Sequence, residues 1–335
     1  MSLPSSPFAG FISVPGEGAI GLSLLPPGKQ VLKTLTYQYP LKLIVPDPHR
    51  APNGQQDPVT VIFLLTYGGG LVGGDRINLR VDLAAQTRLV LLTQGSTKIF
   101  KSPSRAVVSG QTMRVKVGTD AALCYLPDPT QPFGESLYEQ RQIFEVDANG
   151  SSSLCVLDWV NEGRKARGES WALHSWKGRN EVRELGLDDK AQGRLLLRDV
   201  VILSDNQQAR QENGLLDKMS GMGVFGTLIL YGPVFRNLGK YFMDEFSSQP
   251  RLGAKNWSGE SSGRESLPEE MRREERLLQE QADGLLWTAA RIRGFVLVKF
   301  GAREVDGARK WLAAIFRQEG SVEKEFGHQA LFCLR

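Results

Sequence analysis

The chain is poor in the residues that build metal centres and disulfide frameworks. It has three cysteines, Cys124, Cys155 and Cys333, far apart and outside any C-x-x-C pair, which excludes a disulfide scaffold and a zinc knuckle and fits a reducing compartment. Its three histidines, His49, His174 and His328, have no sequence neighbours that complete a metal-ligand pair or a triad, and read as structural or surface residues. No run of 18 apolar residues exists to span a membrane. Pro4, Pro7, Gly10 and Pro15 stand where a signal peptide needs a basic start and an apolar core, so a cytoplasmic location is expected. A net charge of +4 with no basic run gives nucleic acid no footprint.

What the chain does have, over 335 residues, is 41% hydrophobic residues, Gly 36 and Pro 17, the balance of a globular protein with many turns. Thr66 to Ser102 is the organising stretch. An apolar β-branched run, Val59 to Leu65, enters a glycine cluster, and Ile77, Leu79, Val81 and Leu83 then alternate with polar residues. Gly68-x-Gly70-x-x-Gly73 matches a dinucleotide fingerprint, but that motif needs a helix after the third glycine to receive the pyrophosphate, and a strand follows here. Gly221-x-Gly223-x-x-Gly226 fails for the same reason. Asp75 and Arg76 stand where a phosphate loop beginning at Gly69 needs Lys and Ser or Thr. Gly259-x-Ser261-x-Gly263 lies in a Gly- and Ser-rich segment without the strand-to-helix turn of a nucleophile elbow. The glycines Gly68, Gly69, Gly70, Gly73 and Gly74 therefore read as turn devices between strands.

Short strands recur throughout. They are predicted between Gly16 and Pro26, over Val31 to Val45, around Met113 to Val117 and at Leu123 and Tyr125, over Leu195 to Leu203, Thr227 to Tyr231 and Phe295 to Phe300, and over Ala330 to Leu334. Asn149-Gly150, between Phe144 and Leu154, predicts a hairpin. Residues 1–10 read as a loose tail and 46–58 as an exposed loop. Two helices are expected. One runs from 266 to about 282, opened by a Ser266/Glu269 capping box, with a thin apolar face, inside a mobile, solvated insertion over about 250–284. The other starts at an Asp306 cap, carries Ala308, Trp311, Leu312, Ile315 and Phe316 on one face, ends at Gly320 and docks on the sheets.

No catalytic or cofactor-binding constellation assembles from these residues. What remains is a set of carboxylates among glycines, prolines and aromatics: Asp75, Asp128, Glu135, Asp158, Glu162 and Glu169. Singly each suits a turn. Together, weak oxygen ligands suit transient passage of a divalent cation better than tight storage. Paired carboxylates such as Asp128 and Glu135 would equally serve a β-rich hydrolase, and a plain β-solenoid binding module needs none of them.

Tyr67 to Arg76 (YGGGLVGGDR), Thr93 to Lys101 (TQGSTKIFK), Leu126 to Phe133 (LPDPTQPF), Leu157 to Trp171 (LDWVNEGRKARGESW) and Trp287 to Gly294 (WTAARIRG) occur in this order over most of the chain. In them the chain resembles the urease accessory protein family UreD, called UreH in some bacteria. The 46–58 and 250–284 segments look like additions of a kind associated with eukaryotic, fungal-type members. The resemblance implies one mainly β unit over 1–335, of layered, solenoid-like β-sheets with a few peripheral α-helices, including one near the C-terminus. It implies a non-catalytic urease maturation factor, a chaperone of metallocentre assembly that binds apo-urease, recruits UreF and the GTPase UreG, and helps deliver nickel along an internal path, with nickel(II) held transiently at most. The six carboxylates then become candidate lining for that path, and Gly68 to Gly70, Gly73, Gly74, Arg76, Gln94, Lys98, Arg164 and Arg167 mark the shared motifs. Arg164, Arg167 and Glu169 can form a charge network of their own or meet the ion.

Overall fold

The alternating runs become strands that the chain lays down in a repeating path. The computed structural model describes residues 14–46, 59–186, 193–205, 214–249 and 268–335, except the side chains of 268–270 and 272. The tail at 1–10, nearly all of the 46–58 loop, His49, Ser261 and the Ser266/Glu269 capping box lie outside what is described.

The path begins with β1 (Glu17–Leu25), β2 (Lys29–Tyr37) and β3 (Leu41–Ile44). Three successive coils follow: β4 (Val59–Thr66), β5 (Gly70–Leu71) and β6 (Arg76–Leu83); β7 (Arg88–Leu92), β8 (Lys98–Ile99) and β9 (Ser109–Val117); β10 (Ala122–Tyr125), β11 (Gln131–Pro132) and β12 (Leu137–Val146). A fourth coil is built from β13 (Ser153–Asn161) and β14 (Ser175–Glu184). The chain closes with β15 (Leu195–Ser204), α1 (Leu215–Lys218), β16 (Val224–Tyr231), α2 (Arg236–Ser247), α3 (Pro268–Ala282), β17 (Leu286–Ile292), β18 (Phe295–Ala302), α4 (Val305–Glu319), α5 (Ser321–Phe326) and a 3-10 segment, His328–Leu334.

Each coil gives one strand to each of the two large faces of a solenoid, and the first three also give one to a short third face. The outer sheet has the order β15-β14-β12-β9-β6-β1-β2, the inner sheet β17-β18-β16-β13-β10-β7-β4-β3, and a short third sheet β11-β8-β5. Within the coils the pairing is parallel, so Val59, Arg88, Ala122 and Ser153 stand in register on the inner sheet. Beyond the coils it turns antiparallel, at β2, β3, β15, β16, β17 and β18.

The inner sheet is covered on both faces. Leu89, Leu91, Leu123, Leu154 and Val156 meet Leu79, Val81, Met113, Val115 and Phe144 of the outer sheet in one core. Val90, Cys124, Cys155, Leu157 and Trp159, of the opposite parity, meet Phe242 of α2 and Trp311, Leu312 and Phe316 of α4 in a second. All nine residues of β13 are consequently buried, the pattern of a strand between two layers. The three cysteines are free and buried. No helix among the described residues is long and apolar enough to cross a membrane.

Several local expectations change. The Val31–Val45 run breaks into β2 and β3, which belong to different sheets, because Gln38 to Pro40 turns the chain from one layer to the other. Asn149-Gly150 does turn the chain, with Gly150 at φ 75° and its N–H on the Asp147 carbonyl, yet no hairpin forms: β12 pairs with β9 and β14, and β13 with β10 and β16. Ala330 to Leu334 is 3-10 helix, not strand; its run is apolar on both parities, and Ala330, Leu331, Cys333 and Leu334 are all buried in the helical layer. The cap residue of α4 is Glu304, with Asp306 in the first turn, where a carboxylate still meets the positive end of the helix. The Gly320 terminator, at φ 78°, and the buried face of α4 are as expected.

Helix α3 is exposed over most of its described residues, as a solvated helix would be, but one side of it is anchored. It docks with charged residues, not apolar ones: Arg276 ion-pairs with Glu245 of α2, lies 3.3 Å from Glu280 and donates to Gln318 of α4 at 3.2 Å, while Leu278 stays exposed. Burial pushes the Glu280 carboxyl above its usual range, against the pull of Arg276. Removing the cation by Arg276→Met leaves the buried Glu280 and the half-buried Glu245 without it, and is expected to cost about 3–5 kcal/mol. Hydrogen exchange resolved by segment should show the loss in α3 first, with the coils still protected.

The glycine cluster can be tested in the same way. A Cβ on Gly70 would overlap the Lys98 carbonyl oxygen and come within 2.7 Å of the Phe100 ring, with backbone on one side that cannot yield. Gly70→Ala is expected to lower stability by about 1–3 kcal/mol in a denaturant melt.

Candidate functional site

Four of the five sequence motifs meet on one face. Gly70, Lys98 and Gln131 stand in register across β5, β8 and β11, and so do Leu71, Ile99 and Pro132. The stack continues without a strand: Gln131 donates to the Gly163 carbonyl at 3.1 Å, and Gly163, at φ 100°, lies against the Pro132 carbonyl. The preceding cluster supplies the turns, with Gly68, Gly69 and Gly74 at φ 70°, 74° and 93°. Gly73 packs against the Pro103 ring. Gln94 and Lys98 are exposed on this face, and Arg76 leaves it at the start of β6.

Four of the six predicted carboxylates distribute around this stack, each with partners of its own. Asp75 Oδ2 accepts from the Val72 N–H at 2.9 Å and closes its own turn. Glu135 pairs with Lys101 at 2.6 Å, which holds its carboxyl below the usual range, and its backbone takes φ 60°, a left-handed geometry uncommon for a side-chain-bearing residue. Glu169 accepts from Arg164 through both oxygens and from the Gly134 N–H at 2.9 Å, and these bonds lower its pKa. Arg164 also lies over the Phe133 ring, 4.0 Å from its centroid, while Arg167 is exposed outside the pair. Glu162 accepts from Ser170 and lies 3.4 Å from Lys165. Glu162, Glu169 and Glu135 thus gather around the fourth rung, linked through Gly134 and the 164–170 turn.

Asp128 and Asp158 belong to a different place. Asp128 Oδ1 accepts from Arg309 of α4 at 3.0 Å, and Oδ2 accepts from the Gly95 N–H at 2.8 Å and the Thr93 hydroxyl at 3.2 Å. Cys333 lies beside them, its thiol pushed up to about 12 by burial and by Asp128, and donates to the Thr93 carbonyl. A void of about 20 Å³ runs inward from Asp128 to Asp158, lined also by Tyr125, Gln111, Gln140 and Gln142. That volume holds about one water.

Asp158 is the centre of a polar layer that crosses the core between the two large sheets. On the inner sheet Asp158, Thr227 and Lys299 are in register; on the outer sheet Gln142, Asn180 and Asp199 are. Gln140 and Asn180 donate to the two Asp158 oxygens at 2.9 and 2.7 Å, and Lys299 donates to Asp199 at 2.7 Å and to Thr227 at 3.1 Å. Burial raises the Asp158 pKa; the two amide bonds oppose the shift. Three buried acceptors in the layer, Gln142 Oε1, Asn180 Oδ1 and Asp199 Oδ2, have no hydrogen-bond partner among the described residues.

Such a layer offers hard oxygen donors to a cation without enclosing it. No group of three or more His, Cys, Asp or Glu among the described residues is gathered to hold a metal ion. Sequence reading found Asp158 but not Asn180, Asp199 or Lys299. The signal was present for Lys299, a charge inside the apolar FVLVKF run, which no surface strand of that parity needs.

Known proteins agree with the motifs. The sequence profile described as UreD urease accessory protein matches residues 16–331. A Schizosaccharomyces pombe protein named as an uncharacterized urease accessory protein, ureD-like, is 31% identical over 285 residues, 85% of this chain and 88% of that one. Urease accessory protein 4 of Cryptococcus neoformans is 28% identical over 91% of this chain and 90% of its own, and the UreD of Sorangium cellulosum 34% identical over 62% and 58%. A match that runs from residue 16 to residue 331 and so spans every coil leaves one assignment: the chain belongs to the UreD family of urease accessory proteins.

Proposed function

We propose that this protein acts in urease maturation as a non-catalytic scaffold, binding apo-urease together with UreF and the GTPase UreG, and passing nickel(II) as cargo through its own interior in the cytoplasm. The observation that carries the reading is the polar layer: two carboxylates, Asp158 and Asp199, buried between apolar sheets, with orphaned oxygens beside them and a narrow void leading out to Asp128. Burying such groups costs stability that apolar residues would not. A void that holds about one water lets a cation through only in exchange of ligands with side-chain oxygens, which suits transit and not storage. A thiol held protonated, as Cys333 is, supplies no thiolate to trap nickel there.

Glu162, Glu169 and Glu135 would serve as a second set of oxygens at the fourth rung. The hydrolase alternative draws no support from the geometry, since Asp128 and Glu135 are each bound to a cation of their own, Arg309 and Lys101.

Asp158→Asn separates transit from folding. Because the folded-state pKa of Asp158 is raised, the wild type gains stability as pH falls through that value and the variant does not. The melting temperature of Asp158→Asn should therefore match or exceed that of the wild type at neutral pH, with the difference shrinking as the pH is lowered. In cells dependent on this protein for urease activation, the same variant should assemble with apo-urease yet leave urease largely nickel-free by metal analysis. Normal nickel loading would sink the reading. Asp75→Ala, Glu135→Ala and Glu169→Ala are each expected to reduce activation more than complex assembly in a pull-down; equal loss of both would mark that residue as structural.

A further inference from the structure

Strand alternation turns a set of arginines away from the core on the outer sheet. Asn78, Thr112, Arg141, Arg179 and Val200 form one row across five strands, and Arg80, Arg114, Ile143, Glu181 and Arg198 form the next. On an open face, Ile143 and Glu181 nevertheless have 0% exposure. Arginines flank both in these rows, and such side chains cover neighbouring surface with their stems while their heads reach water. Glu181 meets Arg183 and Arg198 at 3.1 Å, Arg141 at 3.6 Å and Arg179 at 3.8 Å. Burial works against its charge, and the guanidinium groups outweigh that and hold its carboxyl below the usual range.

One carboxylate cannot neutralise four guanidinium groups, so the cluster keeps a cationic excess. Arg183 and Arg198 hydrogen-bond to Glu181 and Arg141 and Arg179 stand at ion-pair distance from it, so the heads are gathered in advance around one buried charge, and side chains gathered in advance lose less entropy on binding. Beside it a groove of about 430 Å³ crosses the strands. Its floor is Gly110 on β9, whose missing side chain leaves the depth, and Arg76, Arg141, Lys177 and Arg179 line it. The groove's carboxylate, Glu139, is already paired with Lys177 at 2.9 Å. At one end Val200 and Ile202 expose 43% and 59% of their surface.

We propose that this face docks an acidic segment of a partner protein, whose carboxylates pair with Arg76, Arg141 and Arg179 while an aliphatic side chain rests on Val200 and Ile202. Arginine is suited to this by its fork of donors, which meets carboxylate through two bonds. Nucleic acid would also answer to the charge, but the groove offers no aromatic ring for base stacking and ends in aliphatic surface. The inference does not depend on nickel transit, which uses the opposite side of the same sheet.

The test is fluorescence anisotropy of the full chain with a short fluorescein-labelled peptide of glutamates interspersed with leucines. Its controls are the same peptide with glutamine for glutamate and a single-stranded oligonucleotide of equal charge. The wild type should bind the glutamate peptide saturably, and more weakly as salt rises. The double variant Arg141→Gln, Arg179→Gln should bind about tenfold or more weakly. Since loss of those arginines uncovers Glu181 and could loosen the sheet, Val200→Ser with Ile202→Ser gives a second reading on exposed side chains: weaker binding with an unchanged melting temperature. Lys324→Gln, on α5, should bind as the wild type does. Equal binding of the glutamate and glutamine peptides, oligonucleotide binding as tight as peptide binding, no binding by the wild type, or unchanged binding by both double variants would each overturn the proposal.

Discussion

Parallel strands hydrogen-bond at a fixed separation of about 4.8 Å, and a solenoid must keep that separation on every face at once. The tightest place is the short third face, where β5, β8 and β11 have two residues each and the fourth rung has no strand. Any side chain pointing between rungs there would pry the coils apart along their whole length. Gly70 and Gly163 remove it. Register on the two large sheets therefore depends on backbone contact at the smallest one, and the position of Asp158 opposite Asn180 depends on that register in turn.

The two cores make different demands. Between the inner sheet and the helices the packing is apolar and aromatic, with Phe242, Trp287 and Trp311 in mutual contact and Phe300 against Trp311. Fully burying such side chains contributes about 1.5–3 kcal/mol each, which anchors α2 and α4. Between the two large sheets the apolar layers are interrupted by the Asp158 and Asp199 layer, whose net worth is small or negative when set against well-packed hydrophobes. The helical layer is the stabilising half of the molecule, and the solenoid interior is the half that carries polar chemistry.

What was legible in the sequence follows the same division. The glycine cluster, the strand after it and the buried face of α4 each depend on spacing within one segment, and spacing is what a sequence displays. Asn149-Gly150 has the signature of a hairpin turn, but which strand receives β13 is decided by β10, far away in sequence. β14 was missed because its outward residues are charged and its inward ones include Gly178 and Asn180, so no apolar alternation exists to read. α2 and the docking of α3 were missed for related reasons, the latter because its contacts are made by Arg276 and Glu280. At the candidate site, Asp158 was legible only as one of six carboxylates among glycines, prolines and aromatics, whereas Asn180 and Asp199 acquire meaning only by facing it.

The change from parallel to antiparallel pairing at both ends of the stack has a consequence for assembly. A coil of parallel strands presents, on its last rung, a template that a further coil of the same hand could extend, and repeat proteins without modified ends polymerise by that route. Here β2 and β3 reverse the chain before the first coil, and β15 and β16 reverse it after the fourth. Among the described residues neither end offers a strand running in the direction that another copy's coil would need. The number of coils is thereby closed by the chain itself, and a protein with the interior of a fibre is kept to the length of one molecule.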